Sequence, residues 1–199
     1  NRNKLKILHN HIKLNKFDIL CHNELLIDNN KSKISSYGPF KKNFYKHLLI
    51  NGNSLSTSAT MLNKKFLKKK NLKFNENKNF VSVEDYDLWM MFAKNHAKFL
   101  FINDILGSYI IHDKGISQND FKHFNNLKKL LLHHTFNIQN FEKNTKNLWK
   151  YLQKKIYILL LIKNFKKKPT NINTIINLIF FFILNPFFLK KFYKNKFFI

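Results

Sequence analysis

A chain of 199 residues, 44% of them hydrophobic, is long enough to bury a core, which excludes wholesale disorder. Its formal net charge of +25 is carried almost wholly by lysine, since Arg2 is the only arginine. That balance argues against a nucleic-acid-binding module, which relies on the arginine fork to read bases and grip phosphates. The lone Cys21 excludes an intrachain disulfide and a cysteine-based zinc site, and suits a reducing cytoplasm.

In chain order, residues 4–16 predict a helix with Leu5, Leu8 and Ile12 on one face. Phe17 to His22 reads as a short buried strand, and the polar stretch Asp28 to Ser36 as a loop. Gly38-Pro39 signals a turn, residues 40–50 a helix, and Asn51-Gly52-Asn53 a second turn. Ser54 to Leu62 alternates small polar and apolar residues and predicts a strand that a ligand can approach closely. Residues 63–79 predict a short helix and a loop. Ser82-Val83-Glu84-Asp85 matches a capping box opening a helix that carries Leu88, Trp89 and Phe92. Lys98 to Ile102 and Leu106 to Ile111 predict two strands, and helices follow over 120–136 and 140–163.

Glu84, Asp85 and Asp87 gather three of only 11 acidic residues into four positions, beside Trp89. A helix N-terminus favours negative charge, and a carboxylate there can take a proton from an alcohol. Trp89, one turn beyond Asp85, can offer an apolar face to a sugar ring. From spacing alone the same residues read equally as a helix cap and a core tryptophan.

The order of elements resembles the second half of a family-2-type glycosyltransferase with the GT-A fold. Four segments carry the likeness: the helix start Asn3-Lys4-Leu5, the small-residue strand Asn53 to Leu62, Glu84-Asp85-Tyr86-Asp87-Leu88-Trp89, and Tyr109-Ile110-Ile111-His112 with Ile116-Ser117. The resemblance spans roughly residues 3–118. It implies an α/β fold: a partial GT-A, Rossmann-like sheet with flanking helices over 1–118, followed by an all-helical basic tail over 119–199. It also implies inverting transfer of a sugar from a nucleotide-sugar donor to a hydroxyl acceptor, a glycan or a lipid-linked molecule, in cell-surface polysaccharide synthesis. Asp85 would be the general base and Glu84 its helper. Trp89, Asp87 and Ser58 would bind the acceptor, and His112 would lie near the donor or its metal. The complete enzyme is expected to use a divalent metal, Mg or Mn, but its Asp-x-Asp motif and nucleotide pocket have no counterpart in this chain. The chain starts at Asn1 and reads as a fragment without a signal peptide, expected to be inactive alone.

Ile172 to Leu189 carries no charge over 18 residues and is flanked by Lys166-Lys167-Lys168 and Lys190-Lys191. It is borderline for crossing a bilayer, which needs about 20 apolar residues. A helix or hairpin lying on an anionic membrane surface fits the flanks best; a helix packed on the domain and a true span are the alternatives. The expected location is the cytoplasm, with a tail of this kind allowing peripheral contact with the inner face of the membrane. Part of the charge has a plainer source, because an AT-rich genome favours Lys, Asn, Ile and Phe codons. The rival function is a non-catalytic protein attached to a membrane surface.

Overall fold

The computed structural model describes residues 1–28, 31–39, 41–111 and 120–186. The helices are α1 (Lys4–Leu14), α2 (Phe44–Asn51), α3 (Lys64–Lys69), α4 (Glu84–Lys94), α5 (Asp120–His133), α6 (Thr145–Lys167) and α7 (Ile172–Leu184). Four strands, β1 (Ile19–Asp28), β2 (Lys31–Ser35), β3 (Thr60–Leu62) and β4 (Phe99–Ile111), form one mixed sheet.

β1 is the middle strand. Along one side it pairs in parallel with β4 over its whole length. Along the other it pairs antiparallel with β3 through Ile19–Cys21 and with β2 through Glu24–Asp28. The gap between those two short partners falls at His22 and Asn23, where the ladder with β4 also shifts register. There the His22 amide donates to the Ala59 carbonyl at 3.1 Å instead. The polar heart of β1 therefore lies where regular pairing breaks, a common setting for side chains aimed at a site.

Around the first half of β1, each face of the sheet is covered. Ile19 and Cys21 join the large core with Leu48 and Leu49 of α2 and Leu88, Trp89, Met90 and Phe92 of α4. Leu20 turns the other way and meets Leu8 of α1, Ile102 and Leu106. Such alternation follows from the two-residue period of a strand. The Tyr86 hydroxyl donates to the Leu48 carbonyl at 2.5 Å and ties α4 to α2. The large core also takes Leu130 and Leu131 of α5 and Leu148, Leu152 and Ile156 of α6. Packing thus continues past residue 119 into the tail. A small second cluster, Ile158 and Leu161 with Phe181, joins the rest of α6 to α7.

Several elements differ from the sequence reading. Within the stretch expected as a loop, Asp28 ends β1 and Lys31–Ser35 form β2, paired antiparallel with it: β2 is a lysine-bearing, solvent-facing edge. Charged edges of this kind resist further pairing and lack an apolar pattern. The two expected strands are one, β4 (Phe99–Ile111), which carries Asn103 and Asp104 through the register break. Only Thr60–Leu62 of the stretch from Ser54 is strand; the rest folds as an irregular turn. On α1 the inward side is Ile7 and Leu8, while Leu5 and Ile12 face solvent. No helix among the described residues is long and apolar enough to cross a membrane.

Candidate active site

β1 buries three polar residues in a row, His22, Asn23 and Glu24. Buried polar groups persist when they are hydrogen-bonded, and Glu24 is held on both oxygens. Ser58 Oγ donates to Oε1 at 2.6 Å, and the Tyr37 hydroxyl donates to Oε2 at 2.9 Å. Asn23 places Tyr37 by accepting its backbone amide at 3.1 Å. The next residue, Gly38, has φ +79°, and the Phe101 ring occupies the space a Cβ would need, so glycine is required there. Across the ladder, a Cβ on Gly107 would lie 3.3 Å from Glu24 Oε1. His22 donates through Nδ1 to the Asn23 carbonyl at 2.7 Å, while its buried Nε2 has no partner among the described residues. Burial lowers its pKa.

The turn Ser56 to Ala59 brings a second carboxylate to this polar layer. Thr57 Oγ1 donates to Asp85 Oδ2 at 2.5 Å, while its neighbour Ser58 holds Glu24. The two serine hydroxyls, Ser56 and Ser58, lie 3.0 Å apart. Lys4 Nζ, from the first turn of α1, donates to the Ser58 carbonyl at 2.8 Å and fixes the turn from the other side. One short hydroxyl-rich turn therefore links α1, the centre of β1 and the start of α4.

Asp85 sits in the first turn of α4, and its Oδ1 accepts from the Tyr86 amide at 2.6 Å. The expected capping box is absent: Val83 is the N-cap residue, and no side chain caps the helix from that position. Ser82 has φ +71° and instead pairs with His123 Nδ1 at 3.1 Å. Asp85 is half-buried, and burial raises its carboxyl pKa. The hydrogen bonds from Thr57 and Tyr86 oppose that rise, and the neighbouring Glu84 charge adds to it. Glu84 keeps one buried carboxylate oxygen, Oε2, with no partner among the described residues.

The acidic trio is not one constellation. Asp87 is buried on the opposite side of α4, where Oδ1 meets His134 Nε2 at 2.8 Å and Oδ2 accepts from Asn75 at 3.3 Å. His134 in turn meets the Tyr45 hydroxyl through Nδ1 at 3.0 Å. Burial lowers the His134 pKa, so the ring is neutral: Nε2–H donates to Asp87 and Nδ1 accepts from Tyr45. Trp89 is 1% exposed and packs on Phe74 and Phe92, so its ring supports the helix rather than offering a face to a sugar. Of the five expected residues that are described, the structure joins Asp85, through Thr57, to Ser58. Glu84 sits beside Asp85, while Asp87 and Trp89 serve the core. His112 lies outside the described residues.

The sequence reading missed Glu24, His22, Tyr37 and Thr57. Its one signal for them is polarity, His22-Asn23-Glu24, in the middle of what proves to be a ten-residue strand. Among the described residues, no group of three or more His, Cys, Asp or Glu could hold a metal ion. Glu24 and Asp85 are each committed to hydroxyl donors, so these two carboxylates do not by themselves offer a ligand set. Compared with protein-family models, with curated proteins and with solved structures, the chain finds no match in any of the three.

Proposed function

We propose that this chain is the acceptor-side part of an inverting nucleotide-sugar glycosyltransferase of the GT-A type, with Asp85 as its general base. One observation carries the reading: of the three clustered carboxylates, Asp85 alone combines a helix N-terminus, partial exposure and a hydroxyl group already bonded to its oxygen. Thr57 marks the place an acceptor hydroxyl would take or share. A raised pKa makes a stronger base, which suits abstraction of an alcohol proton.

In the proposed reaction Asp85 Oδ2 takes the proton of the acceptor hydroxyl. The acceptor oxygen bonds to the anomeric carbon from the side opposite the phosphate. The carbon–oxygen bond to the phosphate breaks, its electron pair leaves with the nucleoside diphosphate, and the configuration inverts. Glu84 raises the proton affinity of Asp85. Glu24 fixes Ser58, and with it the turn that presents Thr57. The donor pocket would come from residues beyond this chain. A divalent metal, Mg or Mn, held by those residues would neutralise charge on the diphosphate. The acceptor would be a glycan or a lipid-linked molecule of surface polysaccharide synthesis, reached from the cytoplasmic side.

Assay of the isolated chain with a panel of nucleotide sugars should give no transfer, whereas the complete gene product should transfer a sugar with inversion. Retention of configuration, or full activity of an Asp85→Asn variant of that product, would refute the assignment.

A further inference from the structure

α7 contains no charged residue, and no acidic residue follows Glu142 in the chain. One face of α7 is occupied: Phe181 packs with Ile158 and Leu161 of α6, and the Tyr157 ring lies 5.7 Å from it. The other face is also apolar. Ile172, Ile176, Ile179 and Ile183 recur at helical spacing with Phe180 at their border, and Ile172 and Ile183 are 69% and 68% exposed. A helix that is apolar on both sides belongs where both sides are covered.

Length and charge choose the cover. Thirteen residues make a helix about 20 Å long, short of the roughly 30 Å of a hydrocarbon core, so α7 can lie in a bilayer surface but not cross it. Lys166 and Lys167 in the last turn of α6, with Lys168 after them, stand exposed just before α7 starts. A second copy docking here would set lysines against lysines. An anionic surface instead meets them with the opposite charge. We propose that the Ile172–Ile176–Ile179–Ile183 face of α7 docks in the headgroup–acyl boundary of an anionic lipid bilayer, with Lys166 to Lys168 on the lipid phosphates. This attachment is independent of the role assigned to Asp85.

The full chain should float with phosphatidylcholine vesicles containing about 30% phosphatidylglycerol, and bind pure phosphatidylcholine about tenfold or more weakly. High salt should weaken the anionic binding. A double variant, Ile179→Ser with Ile183→Ser, should lose about tenfold or more of the binding with an unchanged circular dichroism spectrum. Changing Lys166, Lys167 and Lys168 to Gln should abolish the preference for anionic vesicles. A Phe180→Trp variant, which keeps an aromatic ring on the surface, should shift its emission to the blue only when vesicles are added. The proposal fails if the chain does not float, or if the double serine variant floats as well as the wild type. It fails also if the introduced indole is already blue-shifted without lipid, because the chain then covers its own face. Dimerisation abolished by the serine substitutions would assign the face to a second copy and overturn it equally.

Discussion

Asp85 and Asp87 stand two positions apart on one helix and lead opposite lives. Two residues along a helix turn the side chain through about 200°, so neighbours in the sequence face away from each other. Asp85 points to a half-exposed corner and holds a threonine hydroxyl, whereas Asp87 points into the core and holds a neutral histidine. An acidic cluster that reads as one motif thus divides into a half-exposed carboxylate held by a threonine hydroxyl and a buried carboxylate held by a histidine. Trp89 and Asp87 are buried in the core; Glu84 and Asp85 sit half-buried at the start of α4, on the side to which the proposed chemistry is assigned.

The buried side should be the costlier to disturb. Trp89→Ala, which hollows a fully covered site, should lower stability by about 3–5 kcal/mol in denaturant unfolding. Asp87→Ala leaves the buried His134 Nε2–H without an acceptor and should lower stability by about 2–4 kcal/mol. His134 adds a pH signature. Folding favours its neutral form, so its contribution is complete above the ordinary histidine value of 6.5 and is lost as pH falls through the lowered folded value. Denaturant midpoints of the wild type should therefore fall towards about pH 5, and His134→Gln should flatten that limb. A flat wild-type profile would break the contrast between the two aspartates.

Effects at the hydroxyl turn should be smaller. Ser58→Ala removes one of two donors from buried Glu24 and should lower stability by about 1–3 kcal/mol. Thr57→Val at an exposed position should lower it by less than about 1 kcal/mol. Its sharper effect is on acidity: with the Thr57 bond gone, the Asp85 pKa should rise further, as read by carboxyl carbon NMR titration. A fall, or no change, would mean that Thr57 does not hold the carboxylate in solution.

Much of the frame was legible in the sequence because it rests on local patterns. α1, α4 and α6 follow from helical spacing, and Phe17 to His22 marks the start of β1. The β2 edge was hidden because Lys31, Ser32 and Lys33 all face water and leave no alternating pattern to detect. β4 read as two strands because Asn103 and Asp104 interrupt its apolar run, yet a register shift against β1 carries the chain through them. The site was half legible. Glu84-Asp85 stood out by composition, but Glu24 lies 34 residues from Ser58 and gains its meaning only when the sheet brings them together. Ser82 illustrates the converse: it matches a capping signature, but its left-handed backbone and its bond to His123 carry it away from the cap.

The division between the two aspartates is tested most directly by sugar transfer in the complete gene product, comparing Asp85→Asn with Asp87→Asn and correcting each rate for the folded fraction. The prediction is a loss of about 100-fold or more for Asp85→Asn at an unchanged melting temperature, while Asp87→Asn melts earlier but turns over near the wild-type rate. Turnover of Asp85→Asn within about twofold of the wild type would contradict it.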